Sequence, residues 1–385
     1  MGNERAFGSL AAPVPLGRPR LQSTLRIRWW VVLTAVAAGL VPLDPRRVEH
    51  WYSVGLYPYL QHAITPLTNR TSVALLDLSV AVCVIGAAWA LSRRVLRLGV
   101  RRAFVRSAGS LVTAGAVGYL LFLALWGLNY RRSPLERKLD WDASRITREV
   151  AVTLANTAAS AVNGSFAAAH AGAWDVRALE RSFADTQRAL GAERGAVPGV
   201  PKRSLLTLYF RRAAIDGMTN PFFLEIIVSP ELLGVERPYV IAHEWAHLAG
   251  YADEAEANFV AWLTCVRGDP LARYSGWLAT YEHAIRALPR EARQRLTPLA
   301  AGPREDLRAI AERYERASPA VRKAAQGVYD GYLRANRVEE GIRSYDGVVR
   351  LMLGTRFGPE WTPQVRDPGG SPAQALPRGP APAPR

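Results

Sequence analysis

Cysteine and lysine are nearly missing from this chain. Its 385 residues hold two cysteines, Cys83 in an apolar run and Cys265 in a mixed segment far away, and neither belongs to a Cys-x-x-Cys pair. That excludes a disulfide scaffold and a thiolate-ligated metal ribbon, and it leaves the redox compartment unassigned. Only Lys138, Lys202 and Lys323 are lysines, so the net charge of +16 is carried by arginine. A basic balance of this size invites a nucleic-acid reading. Much of the arginine flanks long apolar runs, however, where membrane topology accounts for it, and no nucleic-acid partner is expected. Histidine is scarce too, with six in the chain, so a close pair of histidines carries information.

The apolar residues crowd the first third. Trp29 to Leu43 and Ala108 to Leu128 carry no charge, and Ser72 to Leu91 carries one acid, Asp77. About 20 apolar residues span a bilayer core as a helix. We therefore expect a membrane domain over 29–130 with three transmembrane helices, at about 29–43, 72–91 and 108–128. The lipid bilayer is the implied partner. The first run is short, and its small residues Ala35, Ala37 and Ala38 also suit a cleavable signal peptide, although the later spans would anchor the chain anyway. Arg93, Arg94, Arg97, Arg101, Arg102 and Arg106 lie between the second and third runs, and the leader 1–28 is also basic. By the positive-inside rule both are cytoplasmic. The stretch Asp44 to Thr71 then faces outward, as does everything after the third span, against a mild contrary signal from Arg131, Arg132, Arg137 and Lys138. The expected location is the cell membrane, multi-pass, with the large C-terminal domain outside the cytoplasm.

From Asp140 onward the apolar spacing turns helical. Helices are expected over Ala143–His170, Asp175–Leu190, Pro238–Gly250, Glu254–Arg267, Tyr274–Leu288, Pro303–Ala317, Pro319–Asn336 and Gly341–Leu353. Ser204–Phe210 and Phe222–Val228 read as strands. The Pro/Gly/Ala-rich segment 366–385 reads as disordered, which bounds a folded domain at 140–365.

The chemistry sits in Val240-Ile-Ala-His243-Glu244-Trp-Ala-His247-Leu-Ala-Gly250. Residues four apart share a helix face, so His243 and His247 can point at one ion. Zinc takes imidazole nitrogens at about 2.0–2.1 Å and keeps a fourth position open for catalysis. Glu244, beside the first ligand, is placed to move a proton during attack by water. A third ligand is expected from the acidic cluster after the Gly250 turn. Glu254 suits a second helix folding back, Asp253 is the rival, and Glu256 is a weaker candidate. Asn258 would lie near His243 and orient an imidazole. Glu225 reads either as the solvent face of a strand or as a group beside the cleft that recognises a positive substrate group. Tyr274, Tyr329, Tyr332, Arg343 and Tyr345 are candidate transition-state donors.

Several short motifs in order resemble one family. They are Trp51-Tyr-Ser-Val-Gly-Leu-Tyr-Pro-Tyr59, Trp126-Gly-Leu-Asn-Tyr130, Asn220-Pro-Phe222 with Glu225, the histidine motif through Glu254-Ala-Glu-Ala-Asn-Phe259, Tyr274-Ser-Gly276, Val328-Tyr-Asp-Gly-Tyr-Leu333 and Gly341-Ile-Arg-Ser-Tyr345. Over about Val48 to Leu353 the chain resembles the bacterial domain-of-unknown-function 3810 family. The resemblance implies a multi-pass membrane protein and a zinc metallopeptidase of unknown peptide or protein substrate, and it favours Glu254 over Asp253. One departure is visible, because the family's Asn-Pro-Phe-Thr-Gly-Glu is Asn-Pro-Phe-Phe-Leu-Glu here. The expected fold is mainly α with a small β-sheet, a zincin-like metallopeptidase domain attached to three transmembrane helices. The alternative is a non-catalytic membrane assembly or signalling module that keeps a structural zinc.

Overall fold

The computed structural model describes residues 19–172, 174–336 and 347–366. The leader up to residue 18, the tail beyond Arg366, and the candidate donors Arg343 and Tyr345 lie outside the described residues. The chain is mainly helical. Helix α1 (Pro19–Leu40) precedes α2 (Pro45–Val48), which continues through a π-helical stretch, Glu49–Leu56, into α3 (Tyr57–Thr68). Next come α4 (Leu75–Leu98), α5 (Val100–Leu125), α6 (Arg148–Ala171), α7 (Val176–Ala189) and α8 (Thr207–Ala213). A hairpin of β1 (Gly217–Asn220) and β2 (Glu225–Val228) leads to α9 (Arg237–Leu248). The rest is α10 (Glu254–Val266), α11 (Pro270–Ala287), α12 (Arg290–Arg293), α13 (Ala301–Glu315), α14 (Pro319–Ala335) and α15 (Gly347–Gly354).

The residues fall into two compact units, one with the chain up to Pro42 and Trp89–Leu121, the other with Leu43–Ala88 and the chain from Phe122 onward. Helices α4 and α5 are each long and apolar enough to cross a membrane. Among the described residues a third span is reached only by counting the two helices Arg26–Leu40 and Pro45–Thr68 as one broken span. The arginine-rich link expected as a loop is helical almost throughout. It breaks only at Gly99, whose φ of 74° suits a residue without Cβ. Within the first unit, Arg94 donates to the Ser107 and Ser110 hydroxyls, each at 2.9 Å, closing the α4–α5 turn.

The second unit is built around α10, whose residues from Glu254 to Cys265 are all buried. A helix apolar on nearly every side belongs inside a core, and α10 packs against α7, α9, α11 and α15. Asp253 starts it, its carboxylate accepting from the Ala255 and Glu256 amides at 2.9 and 3.1 Å. Helix α9 takes Pro238 in its first turn and ends before Gly250, whose φ is 84°. The hairpin is antiparallel, pairing Gly217 with Val228 and Asn220 with Glu225. Leu224 turns it with φ 45°, so leucine holds the left-handed position at which the resembled family has glycine. Such a conformation costs about 1–2 kcal/mol for an L-residue, and the complete burial of Leu224 offsets it.

One expectation fails here. Ser204–Phe210 is not a strand. The Ser204 hydroxyl accepts from the Leu206 amide, and Asp77 accepts from both the Ser204 hydroxyl and the Leu205 amide, so the chain turns into α8. The stretch Asp44–Thr71, expected to face outward, is helical from Pro45 to Thr68, with Asp44 accepting from the Arg46 amide at 2.9 Å. Both cysteines are free.

Candidate metal centre

Helix α9 presents His243 and His247 one turn apart, their rings 4.6 Å apart and perpendicular. After the Gly250 turn, α10 folds back and delivers Glu254 in its first turn. Glu254 Oε2 lies 3.3 Å from His243 Nε2 and Oε1 lies 3.7 Å from His247 Nε2. All the candidate ligand atoms lie within 4.8 Å of one another. A tetrahedral ion with bonds of about 2.0–2.1 Å holds its ligands about 3.3 Å apart, so the cluster is already at coordination spacing. Glu254 Oε2 is buried with no hydrogen-bond partner, a position that a cation would satisfy and an apolar core would not. His247 Nδ1 lies 2.8 Å from the Tyr251 carbonyl. A proton on that nitrogen leaves the Nε2 lone pair aimed at Glu254 and the ion position. The donor set therefore fits a divalent ion.

Electrostatics agrees with an anionic donor. Burial would raise the Glu254 carboxyl, but His247 first, then His243 and the Tyr329 hydroxyl, outweigh it and hold the pKa at about 2. Asp253, the rival, spends its carboxylate on the α10 amides and lies outside the cluster. The reason is that Asp253 is the N-cap, with extended backbone and its carboxylate turned onto the first amides of α10, whereas Glu254 is the first residue of the helix proper.

Glu244 is buried beside the histidines, and Thr219 from β1 donates to its Oε2 at 2.8 Å. Burial raises the Glu244 carboxyl to about 7, against the opposing pull of His247 and the Thr219 hydroxyl. A Cβ on Gly217 would fall 2.6 Å from Glu244 Oε1, so a residue without a side chain makes room for that oxygen. The Ser229 amide donates to the Asp216 carbonyl. In the register observed, this puts the hydrogen-bonded pairs at 216, 218 and 220, and turns the main-chain groups of Gly217 and Thr219 toward the open edge.

The remaining expected residues separate. Tyr329 donates to Glu254 Oε1 and stacks on Tyr332, which meets Tyr130 edge-on at 5.9 Å. Tyr274 instead donates to Asp306, which also pairs with His170, and stays away from the cluster. Asn258 Oδ1 accepts from the Tyr239 hydroxyl at 3.0 Å rather than from an imidazole. Glu256 accepts from the Leu135 amide at 2.5 Å and ties α10 to the segment after α5. Glu225 is neither on a solvent face nor a free charge beside the cleft: it is fully buried on the Lys202 ammonium at 2.9 Å and also accepts from the Leu75 and Leu76 amides and Asn220. Alternation does not apply because all four residues of β2 are buried, so neither of its faces meets water. β1 pairs with one edge of β2 and the Lys202 main chain with the other, so among the described residues the open edge belongs to β1.

Sequence reasoning missed Gly217, Thr219, Tyr57 and Trp126. The Tyr57 hydroxyl donates to the Leu248 carbonyl at 2.8 Å and the Trp126 indole to the His247 carbonyl at 2.9 Å. The aromatic residues were visible as motif residues, but nothing local placed them at α9.

No curated protein and no solved structure matches the chain. The family described as "Protein of unknown function (DUF3810)" matches residues 52–353. That range takes in both apolar spans, the hairpin, the histidine helix and α14, and the chain belongs to the DUF3810 family.

Proposed function

We propose that the chain is a membrane-anchored, zinc-dependent metallopeptidase with a zincin-like catalytic domain. The observation that carries this reading is the joint placement of His243, His247 and Glu254 at coordination spacing with a buried carboxylate, Glu244, on the same helix. His243, His247 and Glu254 would hold the ion. Bound zinc polarises a carbonyl and lowers the pKa of water. Glu244 Oε2 is held by Thr219, which leaves Oε1, above Gly217, to accept the proton of the attacking water and return it to the leaving nitrogen. The free edge of β1 offers the Gly217 and Thr219 main chain to an extended peptide in register with that oxygen. Tyr329 steadies Glu254 through its hydroxyl. The domain lies on the extracytoplasmic side in this reading, which the arginines around Gly99 support through the positive-inside rule.

The test is hydrolysis of a random-sequence quenched-fluorescent peptide library by the full chain in detergent. Activity should vanish on chelation and return on adding Zn2+. A zinc-loaded, folded chain that cleaves nothing in the library contradicts the proposal. A second expectation concerns Gly217→Ala. The added methyl displaces Glu244 Oε1, so turnover should fall about a hundredfold, the usual cost of moving a reacting group by an ångström. Metal content should stay unchanged. Equal loss of metal would show that the substitution acts on the cluster rather than on Glu244.

A further inference from the structure

The helical stretch Pro45–Thr68, which lies in the second unit, buries polar residues while it exposes apolar ones. Its inward face holds Ser53, Gln61, Thr65 and Thr68 beside the buried Val48, Tyr52 and Tyr57. Gln61 exchanges hydrogen bonds with the Val197 main chain, and Thr65 donates to the Leu224 carbonyl. Its outward face is apolar, with Trp51 73%, Val54 56%, Leu56 52%, Tyr59 59% and Leu67 59% exposed. Water favours the reverse arrangement, and a contiguous apolar face of this kind suits hydrocarbon or the headgroup boundary. The part of α4 in the same unit repeats the pattern, with Leu78, Val82, Val84 and Ile85 all exposed.

Two aromatic residues of this unit reach the metal helix, one from within Pro45–Thr68 and one from the end of α5. Tyr57 opens α3 and donates to the Leu248 carbonyl. Trp126, the residue directly after α5, donates to the His247 carbonyl and sets its ring edge-on to the His247 imidazole at 6.1 Å. The last carbonyls of a helix have no partners within it, and here two buried aromatic side chains donate to them. At the other face of the hairpin, Glu225 accepts from the first amides of α4. One end of α9 is thus fastened to the middle of Pro45–Thr68 through Tyr57 and to the end of α5 through Trp126, with a single aromatic ring between a span's end and a proposed ligand.

We infer that the bilayer surface meets this unit at the C-terminal end of α9, and that the site therefore takes a polypeptide that is itself membrane-bound, cut close to its anchor. The bilayer contact rests on the exposed apolar faces alone, whereas the substrate class rests on the metallopeptidase reading above.

Two measurements on the full chain in phosphatidylcholine vesicles test it. The first uses a nitroxide on Val328→Cys in a Cys83→Ser background, because Val328 is 76% exposed and neighbours Tyr329 at the cluster. Dissolved oxygen and a water-soluble nickel chelate should relax the label comparably, as in the headgroup zone. Relaxation dominated by the chelate, as in bulk water, overturns the placement. The second uses palmitoylated fluorogenic peptides with the random cleavable core about two or about thirty flexible residues from the lipid, the longer spacer reaching roughly 30 Å from its anchor. The short-spacer form should be cleaved at least as fast as the long one. Cleavage of the long form alone overturns the substrate class and leaves the peptidase reading standing. Cleavage of neither form by the zinc-loaded chain overturns the peptidase reading, while the label still decides where the bilayer lies.

Discussion

Glu244→Gln will keep its metal and its fold and lose hydrolysis by about 10²–10⁴-fold, the range associated with removing a general acid–base group. The side chain is buried 4% exposed beside the cluster but supplies none of its ligand atoms. Glutamine retains an acceptor for the Thr219 hydroxyl, so the local packing has no reason to change. What it lacks is an oxygen at Oε1 that can take and release a proton. Library turnover and metal content, measured on the same preparation, check this. The experiment also separates the two readings of the chain, since a structural-zinc module needs the histidines and Glu254 but has no use for Glu244. Undiminished turnover by the zinc-loaded variant would remove Glu244 from the chemistry.

Lys202→Met should be the most destabilising of the non-catalytic changes, costing about 3–5 kcal/mol, the usual penalty for breaking a buried ion pair from one side. The Lys202 side chain is 1% exposed and its partner Glu225 0%. The ammonium also donates to the Thr68 carbonyl at 2.7 Å and the Thr71 hydroxyl at 2.8 Å. Methionine fills the same volume and leaves Glu225 as an uncompensated buried carboxylate next to the start of α4. The double change Lys202→Met with Glu225→Met removes that charge and should recover part of the loss. Denaturant unfolding in detergent, followed by tryptophan fluorescence, reads both. A single variant within about 1 kcal/mol of the parent would mean the pair is solvated in the folded protein.

The histidine helix was legible because its information is local: two histidines four apart on a helix fix their own geometry. The return of Glu254 was legible from the Gly250 turn, but choosing it over Asp253 required knowing where α10 begins, since Asp253 caps the helix and Glu254 is its first residue. Glu225 misled because alternation distinguishes a wet face from a dry one, and β2 has no wet face. Ser204–Phe210 misled because a short apolar run reads the same as a strand or a helix turn, and the deciding contact, Asp77, lies far away in sequence. The helix over Pro45–Thr68 was not legible because its ordering partners are distant in sequence, with Gln61 on the Val197 main chain and Thr65 on the Leu224 carbonyl. Tyr329 was one name among several, and only the tertiary fold carries it to Glu254 and leaves Tyr274 on Asp306.

The central claim is that one divalent ion is shared by His243, His247 and Glu254. Metal analysis of the purified full chain, alongside Glu254→Ala and Asp253→Asn, tests it most directly, because asparagine keeps the α10 cap while removing the charge. The account predicts one zinc per chain in the parent and in Asp253→Asn, and its loss in Glu254→Ala. A parent chain without zinc after growth in zinc-replete medium, or a Glu254→Ala chain that keeps its ion while Asp253→Asn loses it, would contradict it.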